Sequence, residues 1–226
     1  IIYIPLNQRG FMTVATLQKL KTVFSKYVFF KEDKSSTGQA SDDPKEWYVN
    51  GKLHRADGPA VEFLDGTKHW YLEGKLHRTD GPAVIIANGP SYWYLDGKRH
   101  RADGPAMEYN GTKEWYLNGK LHRADGPAEE YDGNEIWYLN GAVHRTDGPA
   151  MEYRNGTKHW YLEGKLHRTD GPAIEHHAGP RYWYIDGKLH RANGPAIEYP
   201  GGQKEWYLDG IRQPAPRQAP GGAPHP

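Results

Sequence analysis

The sequence predicts an all-β protein: an elongated array of antiparallel β-hairpins forming a single twisted sheet, preceded by one amphipathic helix. The phrase W-Y-[LVI]-x-G recurs at steps of 22 or 23 residues, a period typical of repeat architectures. A second phrase, H-R-x-[DN]-G-P-A, follows it in seven repeats. Short alternating stretches between Gly-containing turns indicate strands and hairpins rather than helices.

Each repeat contains strand and turn segments in a fixed order. In Lys113–Leu117 the residues alternate as a strand requires, and Asn118-Gly119 supplies the positive φ of a tight turn. Asp-Gly-Pro makes a second turn, and Ala-x-Glu-Tyr, for example Ala106–Tyr109, forms the next strand. Lys-Leu-His-Arg between the two strands is either an extended arm or a third, shorter strand.

The tryptophans that begin the repeats are predicted to be buried. Because strand alternation places Trp and the following Tyr on opposite faces, only one of them can line the core. We expect a structural aromatic ladder between repeats, completed by the aliphatic residue two positions on, such as Leu117. A competing interpretation is an exposed aromatic row that stacks sugars or single-stranded nucleic acid. The tryptophans of the ladder are Trp47, Trp70, Trp93, Trp115, Trp137, Trp160, Trp183 and Trp206.

Charge distinguishes two geometries that fit this period. In a parallel solenoid with one repeat per coil, equivalent residues stack about 4.8 Å apart, whereas in a meander with two strands per repeat they lie about 9.6 Å apart. The same Arg recurs in every full repeat, and an Asp accompanies it in all but the last. Rows of like charge at the shorter spacing would repel, so the sequence favours the antiparallel meander.

Composition limits the function classes. The 226 residues carry a net charge of +1, are 37% hydrophobic and include no Cys. Near-neutral charge gives no general attraction to nucleic acid, and the lack of Cys excludes disulfides and thiolate metal sites. No apolar run approaches the roughly 20 residues of a membrane span, and no secretory signal is seen. We therefore expect a cytoplasmic or virion- or assembly-associated protein.

The repeats at 45–210 are flanked by segments of different composition. Residues 1–11 could be a non-native or extended N-terminus. In 12–31, Val14, Leu17, Leu20 and Phe24 recur at helical spacing, which predicts a helix over 13–30. This helix either caps the array or docks on a membrane surface or partner. Residues 32–44 are predicted to be a linker, and 211–226 a Pro/Gly-rich tail that is extended or disordered.

A longer period also exists. Residues 67–83 and 157–173 are identical over 17 positions, and the two stretches lie 90 residues apart. We interpret this as the duplication of a block of four repeats.

The His-Arg-x-Asp motif offers candidate metal ligands or a general base. It recurs in the full repeats, with Asn in place of Asp in the last, and each copy has too few ligands for a closed site. A structural role is favoured, in which Asp caps the turn, Arg pairs with Asp or Glu, and His contacts a neighbouring repeat. The same arm is also the candidate binding site. Its residues are His54, Arg55, His77, Arg78, His100, Arg101, His122, Arg123, His144, Arg145, His167, Arg168, His190 and Arg191.

Positions that depart from the repeat are further candidates. His176-His177 beside Glu175 is the only local concentration of ligand-type residues, although no metal is predicted. Ile85-Ile86-Ala87 could form an apolar contact patch. The remaining departures are the additional cations Arg99 and Arg181 and the pair Ala142-Val143, which replaces Lys-Leu.

The repeat resembles the MORN repeat, and more closely its bacterial and phage variants, over 45–210. The matching positions in the first repeat are Trp47, Tyr48, Gly51, Lys52, His54, Gly58, Phe63 and Gly66. This chain departs from the family pattern by inserting Arg-x-Asp before Gly-Pro-Ala. The resemblance implies a hairpin array that serves as a scaffold and binds partners, and it brings no catalytic residues.

The expected function is a non-enzymatic repeat scaffold for protein–protein interaction or assembly, without a cofactor. One alternative is a multivalent module for glycans, acidic polymers or nucleic acid, although nucleic acid is the least favoured of these. Another is an antitoxin- or immunity-type binder. Expected partners are a protein or larger assembly, a second copy through the array ends, or a membrane surface through helix 13–30.

Overall fold

A computed structural model of the chain describes residues 28–30 and 43–216. In these residues all regular structure is β, and no helix is present. The end of the predicted helix is wrong, because Val28–Phe30 is a strand that runs antiparallel to Lys45–Val49. The rest of that helix, the extension 1–11, linker residues 32–42 and tail residues 217–226 lie outside the described residues.

The chain forms two compact units, Ile1–Arg101 and Ala102–Pro226. The strands of the first unit are β1 (Val28–Phe30), β2 (Lys45–Val49), β3 (Lys52–Leu53), β4 (Val61–Glu62), β5 (Lys68–His69), β6 (Tyr71–Leu72), β7 (Lys75–Leu76), β8 (Val84–Ile85), β9 (Ser91–Tyr92), β10 (Tyr94–Leu95) and β11 (Lys98–Arg99).

The second unit continues the same order of strands. They are β12 (Met107–Tyr109), β13 (Thr112–Glu114), β14 (Tyr116–Leu117), β15 (Lys120–Leu121), β16 (Glu129–Tyr131), β17 (Asn134–Ile136), β18 (Tyr138–Leu139), β19 (Ala142–Val143), β20 (Met151–Glu152), β21 (Lys158–His159), β22 (Tyr161–Leu162), β23 (Lys165–Leu166), β24 (Ile174–Glu175), β25 (Arg181–Tyr182), β26 (Tyr184–Ile185), β27 (Lys188–Leu189), β28 (Ile197–Glu198), β29 (Lys204–Leu208) and β30 (Ile211–Gln213).

In each unit the main sheet is an antiparallel meander to which every repeat adds two strands. In the second unit, His159 on β21 lies opposite Met151 on one side and Ile174 on the other. In the first unit, His69 on β5 lies opposite Val61 and Val84 in the same way. The antiparallel meander is confirmed within each unit, and the stacked parallel coil is excluded there.

A short side hairpin follows each tryptophan. Tyr116 pairs with Leu121 across a turn in which Asn118 and Gly119 have φ values of 52° and 82°. Two consecutive positive φ values define the turn whose twist suits a two-residue hairpin. The Lys-Leu pair is therefore the third, shorter strand of the repeat. Ala142-Val143, which departs from the repeat in sequence, forms the equivalent strand β19 paired with β18.

Neighbouring side hairpins are joined by backbone hydrogen bonds. The Arg145 N–H donates to the Tyr161 carbonyl at 3.1 Å, and the Gly164 N–H donates to the Val143 carbonyl at 2.9 Å. The same two bonds recur from Arg55 to Tyr71 and from Gly74 to Leu53. Each repeat therefore depends on the next for its backbone hydrogen bonds, as expected of repeats too small to fold alone.

The core consists of alanines, together with the strand residues Val61, Val84, Ile136 and Ile197, rather than of tryptophans. The alanine of each Gly-Pro-Ala phrase has no exposed surface. In the fourth repeat this alanine is Ala128. Its carbonyl accepts from the Trp115 N–H at 2.8 Å, and its N–H donates to the Ile136 carbonyl at 2.9 Å. These alanines are Ala60, Ala83, Ala106, Ala128, Ala150, Ala173 and Ala196.

The tryptophans themselves are half-buried, so the prediction of a buried indole core is wrong. In the internal repeats the strand is interrupted at the tryptophan, whose N–H donates to the carbonyl of the buried alanine. The Trp160 N–H, for example, donates to the Ala173 carbonyl at 2.8 Å. The aliphatic partners are no more buried, since Leu72 is 37% exposed.

The described part of the C-terminal segment ends the array with a hairpin. Ile211–Gln213, predicted to belong to the tail, forms β30 and pairs with β29. Pro214 then stands where Arg55 stands in the first repeat. Since proline has no N–H, it cannot donate the bond that Arg145 gives to Tyr161 of the next repeat.

Candidate binding face: the repeated arginine loops

Each Arg-x-Asp-Gly-Pro loop is organised by its arginine. The Arg145 Cζ atom lies 4.1 Å from the centre of the Trp137 ring, close enough for a cation–π contact. Its Nε donates to Asp147 Oδ1 at 2.9 Å. Its Nη1 donates to the Pro149 carbonyl at 3.1 Å and to Glu152 Oε1 at 3.0 Å. One side chain thus holds its own indole, its loop and the following strand.

The same stacking recurs in all seven full repeats, with distances of 3.9–4.2 Å between the Arg Cζ atom and the ring centre. The predicted pairing of Arg with Asp and Glu is confirmed in most repeats. The stacked pairs are Arg55 on Trp47, Arg78 on Trp70, Arg101 on Trp93, Arg123 on Trp115, Arg145 on Trp137, Arg168 on Trp160 and Arg191 on Trp183.

The glycine of the loop is required by the same arginine. A Cβ atom placed on Gly171 would lie 2.7 Å from the Arg168 Cζ atom, and one on Gly148 would lie 3.0 Å from that of Arg145. Side-chain atoms rarely approach so closely. Glycine is therefore needed in the loop for the close contact with the guanidinium, whereas in the x-Gly turns it is needed for its positive φ.

Charge on these loops is arranged with the cation inside and the anion outside. The Arg145 side chain is 23% exposed, while its partner Asp147 is 80% exposed. Hydrogen bonding from the arginine, with its charge, lowers the pKa of Asp80, Asp147 and Asp170, so these carboxylates stay ionised well below neutral pH. The surface formed by the Arg-x-Asp-Gly-Pro loops, which we call the loop face, therefore displays Asp rather than Arg.

A groove of about 600 Å³ lies between two successive loops in the second unit. Its walls are formed by the loops Arg145–Pro149 and Arg168–Asp170, and Trp160, Leu162 and His167 complete its lining. Trp160 also carries the Arg168 guanidinium at 3.9 Å. A half-buried indole with the guanidinium over one ring face therefore lines a groove bordered by two exposed carboxylates.

The histidine of the motif connects repeats, as predicted. His167 Nδ1 accepts from the Asp186 N–H at 3.3 Å and lies 3.0 Å from Asp186 Oδ1. Because one nitrogen cannot accept and donate at once, the first bond requires an Nδ1 without a proton and the second an Nδ1 that carries one. His54, His77, His122, His144 and His190 contact the next turn in the same way.

His176-His177 lies beside a second pocket, of about 480 Å³. The His176 ring stands at 87° to that of His159, with centroids 6.1 Å apart, and edge-on to Tyr182. Burial, with a smaller contribution from His176, lowers the pKa of His159. The neighbouring Glu175 is paired with Arg168 at 2.8 Å. Among the described residues, no group of three or more His, Asp or Glu is arranged to hold a metal ion.

The other departures from the repeat are absorbed into the fold. Ile85, Ile86 and Ala87 are half-buried, and the apolar contact patch predicted there stays a prediction. Ile86 lies against Gly89, where an added Cβ would be 2.8 Å from its Cγ2 atom. Arg99 lies over the Tyr92 ring at 4.8 Å and is not an additional surface cation. Arg181 is exposed on β25.

Sequence reasoning missed the stacking of Arg on Trp and the outward row of carboxylates. The signal for both was present, because Trp, Arg, Asp and Gly recur together in almost every repeat. What the pattern does not reveal is that the loop folds back over the tryptophan that begins its own repeat.

No known protein family matches the sequence, and no similar curated protein is found. The described residues contain no helix with the length and apolar character that a membrane span needs.

Proposed function

We propose that the protein is a non-enzymatic repeat scaffold that binds a protein partner through the grooves of its loop face. The observation that carries this proposal is the groove formed by Trp160 and the loops of Arg145 and Arg168, whose residue types recur along both compact units. A half-exposed aromatic floor with a polar rim is the surface that protein interfaces commonly use. We include in this proposal the finer prediction of an elongated MORN-like array.

The alternative of an acidic-polymer module has less support. Polyanion binding requires cations that are free to contact phosphate, sulfate or carboxylate groups. In this protein the arginines of the motif are engaged by indole, carboxylate and carbonyl groups, and Asp57, Asp125 and Asp147 extend outward beyond them. The His and Arg residues predicted to bind therefore support the groove, and we assign the ligand contacts to its floor and rim. The antitoxin-type alternative stays a hypothesis.

Growth through the C-terminal end of the array is also less favoured than binding of a different partner. Pro214 lacks the N–H that links one repeat to the next, so another copy cannot continue the hydrogen-bond pattern at that point. Membrane docking by the part of the predicted helix that precedes Val28 remains a proposal that rests on the sequence pattern alone.

Blocking the groove tests the proposed function. Thr146 and Thr169 are exposed residues that line it, so the double variant Thr146→Trp/Thr169→Trp should fill it without a change of net charge. We expect immobilised wild-type protein to retain a protein partner from a lysate of the source organism at elevated salt, and the double variant to lose it.

The control is Glu135→Trp/Arg181→Trp, which adds two indoles at exposed positions of β17 and β25 and also keeps the net charge. It should retain the partner as wild type does. Equal retention by all three proteins, or retention of a polysaccharide or nucleic acid in place of a protein, would rule out the proposed function.

A further inference from the structure

The spacing of successive loops along the loop face restricts the conformation of a ligand that contacts several of them. Equivalent residues of neighbouring repeats are separated by two strands of the meander, which corresponds to about 9.6 Å. A polyproline II helix rises about 3.1 Å per residue with three residues per turn, so it repeats about every 9.3 Å. A β-strand presents one face every two residues, or about 6.7 Å, and does not match.

The lining of the groove fits the same ligand. Aromatic-lined grooves accept the ring faces of proline-rich segments in this conformation, which loses little entropy on binding. Trp160 and Leu162 supply such a floor in the groove between the Arg145 and Arg168 loops.

The rim of the groove selects the charge of the ligand. Asp147 and Asp170 are each 80% exposed, while the arginines paired with them are sheltered against indoles. In each carboxylate Oδ1 accepts from the arginine, and the exposed carboxylate can also be approached by a cation from outside. A basic side chain is therefore favoured at the rim and an acidic one is disfavoured.

We propose that the loop face binds a proline-rich peptide in the polyproline II conformation with a basic residue at every third position. This inference rests on the proposed function and names the chemistry of the partner segment. In the groove, a loop lies next to the tryptophan of the following repeat. In the second unit this order of loop and next tryptophan recurs three times, at Arg123 and Trp137, Arg145 and Trp160, and Arg168 and Trp183. A segment of about nine residues would span these three positions, one turn at each.

Synthetic peptides test both the charge and the period. The first has four Pro-Pro-Arg triplets, the second replaces every Arg by Glu, and the third has four Pro-Pro-Pro-Arg units, which keep the charge and change the period. Binding is followed by tryptophan fluorescence of the full chain at physiological ionic strength. We expect the first peptide to bind, the third to bind at least about fivefold more weakly, and the second to give no saturable change.

A pair of matched variants locates the binding. Asp147→Asn removes an exposed, arginine-paired carboxylate from the groove, and Asp132→Asn removes one from a hairpin tip outside it, where Asp132 is 79% exposed and 3.0 Å from Arg154. Asparagine is tolerated in the loop, since Asn193 holds that position beside the stacked Arg191. We expect Asp147→Asn to weaken the Pro-Pro-Arg peptide about fivefold and Asp132→Asn to leave its affinity unchanged.

Three results would overturn the inference: no binding of the Pro-Pro-Arg peptide, equal binding of the two basic peptides, or equal effects of the two Asp variants. The proposed function would fail separately. If the groove-filling variant still loses a protein partner while no Pro-Pro-Arg peptide binds, the scaffold role stands and the identity assigned to the partner segment is wrong.

Discussion

At the scale of single residues, arginine is the side chain on which each repeat depends. Its planar guanidinium can stack on an indole and donate in its own plane at the same time, which a lysine ammonium cannot do. In the sixth repeat, Arg168 uses both capacities, with Trp160 at 3.9 Å and with Asp170 and Glu175 at 2.8 Å each. The motif therefore encodes a structural unit.

Two histidines on the main sheet have a different environment from those of the motif. His69 and His159 occupy equivalent places in the two duplicated blocks, edge-on to Phe63 at 5.1 Å and to Tyr153 at 5.3 Å. Burial lowers the pKa of both, and His176 lowers that of His159 further. His159 Nε2 is buried without a hydrogen-bond partner among the described residues.

This environment predicts a pH-dependent stability. When the pH decreases below about 6.5, the ordinary pKa of histidine, a histidine whose pKa is lowered by folding binds a proton in the unfolded state before it does so in the folded state. Stability should therefore fall as the pH decreases from about 6.5 toward the folded pKa, and be unaffected above that window. We expect His159→Phe, which keeps a ring against Tyr153, to reduce this loss in urea denaturation.

The matched control is His69→Phe, which should reduce the loss less because Ile86 stands where His176 stands in the second block. An unchanged pH dependence in His159→Phe, or a larger effect of His69→Phe, would contradict the assignment.

At the scale of elements, the loop and its two glycine-dependent turns determine the repeat. The turns could be predicted, because Asn-Gly and Asp-Gly pairs such as Asn118-Gly119 strongly favour a two-residue hairpin turn with two positive φ values. The burial of Trp could not be predicted in the same way. Alternation along a strand assumes that the strand continues, whereas the chain breaks its strand pairing at Trp115 and buries Ala128 instead.

The role of the loop glycine can be tested with one methyl group. In Gly171→Ala the new Cβ would lie 2.7 Å from the Arg168 Cζ atom and should displace the guanidinium from Trp160. We expect a loss of about 1–2 kcal/mol in the free energy of unfolding. Gly201→Ala meets no atom within 4 Å and has no positive φ, so its stability in urea or heat denaturation should be close to wild type. Equal stability of the two variants would show that Arg168 does not need this space.

At the scale of the molecule, the fold class and the repeat boundaries could be read from the sequence, and the binding face could not. The period, the turns and the charge rows led to the antiparallel meander found in each compact unit. The sequence also assigned the candidate binding site to the arm that contains Arg145 and its equivalents. The structure reverses this, because a contact between residues eight positions apart, Trp137 and Arg145, turns the cation inward and leaves Asp147 outside.

Everything proposed for the loop face depends on the contact between Arg145 and Trp137. A double-mutant cycle in the free energy of unfolding measures this contact most directly. Arg145→Ala, Trp137→Ala and the double variant should give a coupling energy of about 0.5–2 kcal/mol. A second cycle between Arg145 and Trp183, which stacks on Arg191 at 3.9 Å, should be additive within about 0.5 kcal/mol. Additive effects of Arg145 and Trp137 would mean that the guanidinium is free at the surface, and would contradict a loop face that turns its cations inward.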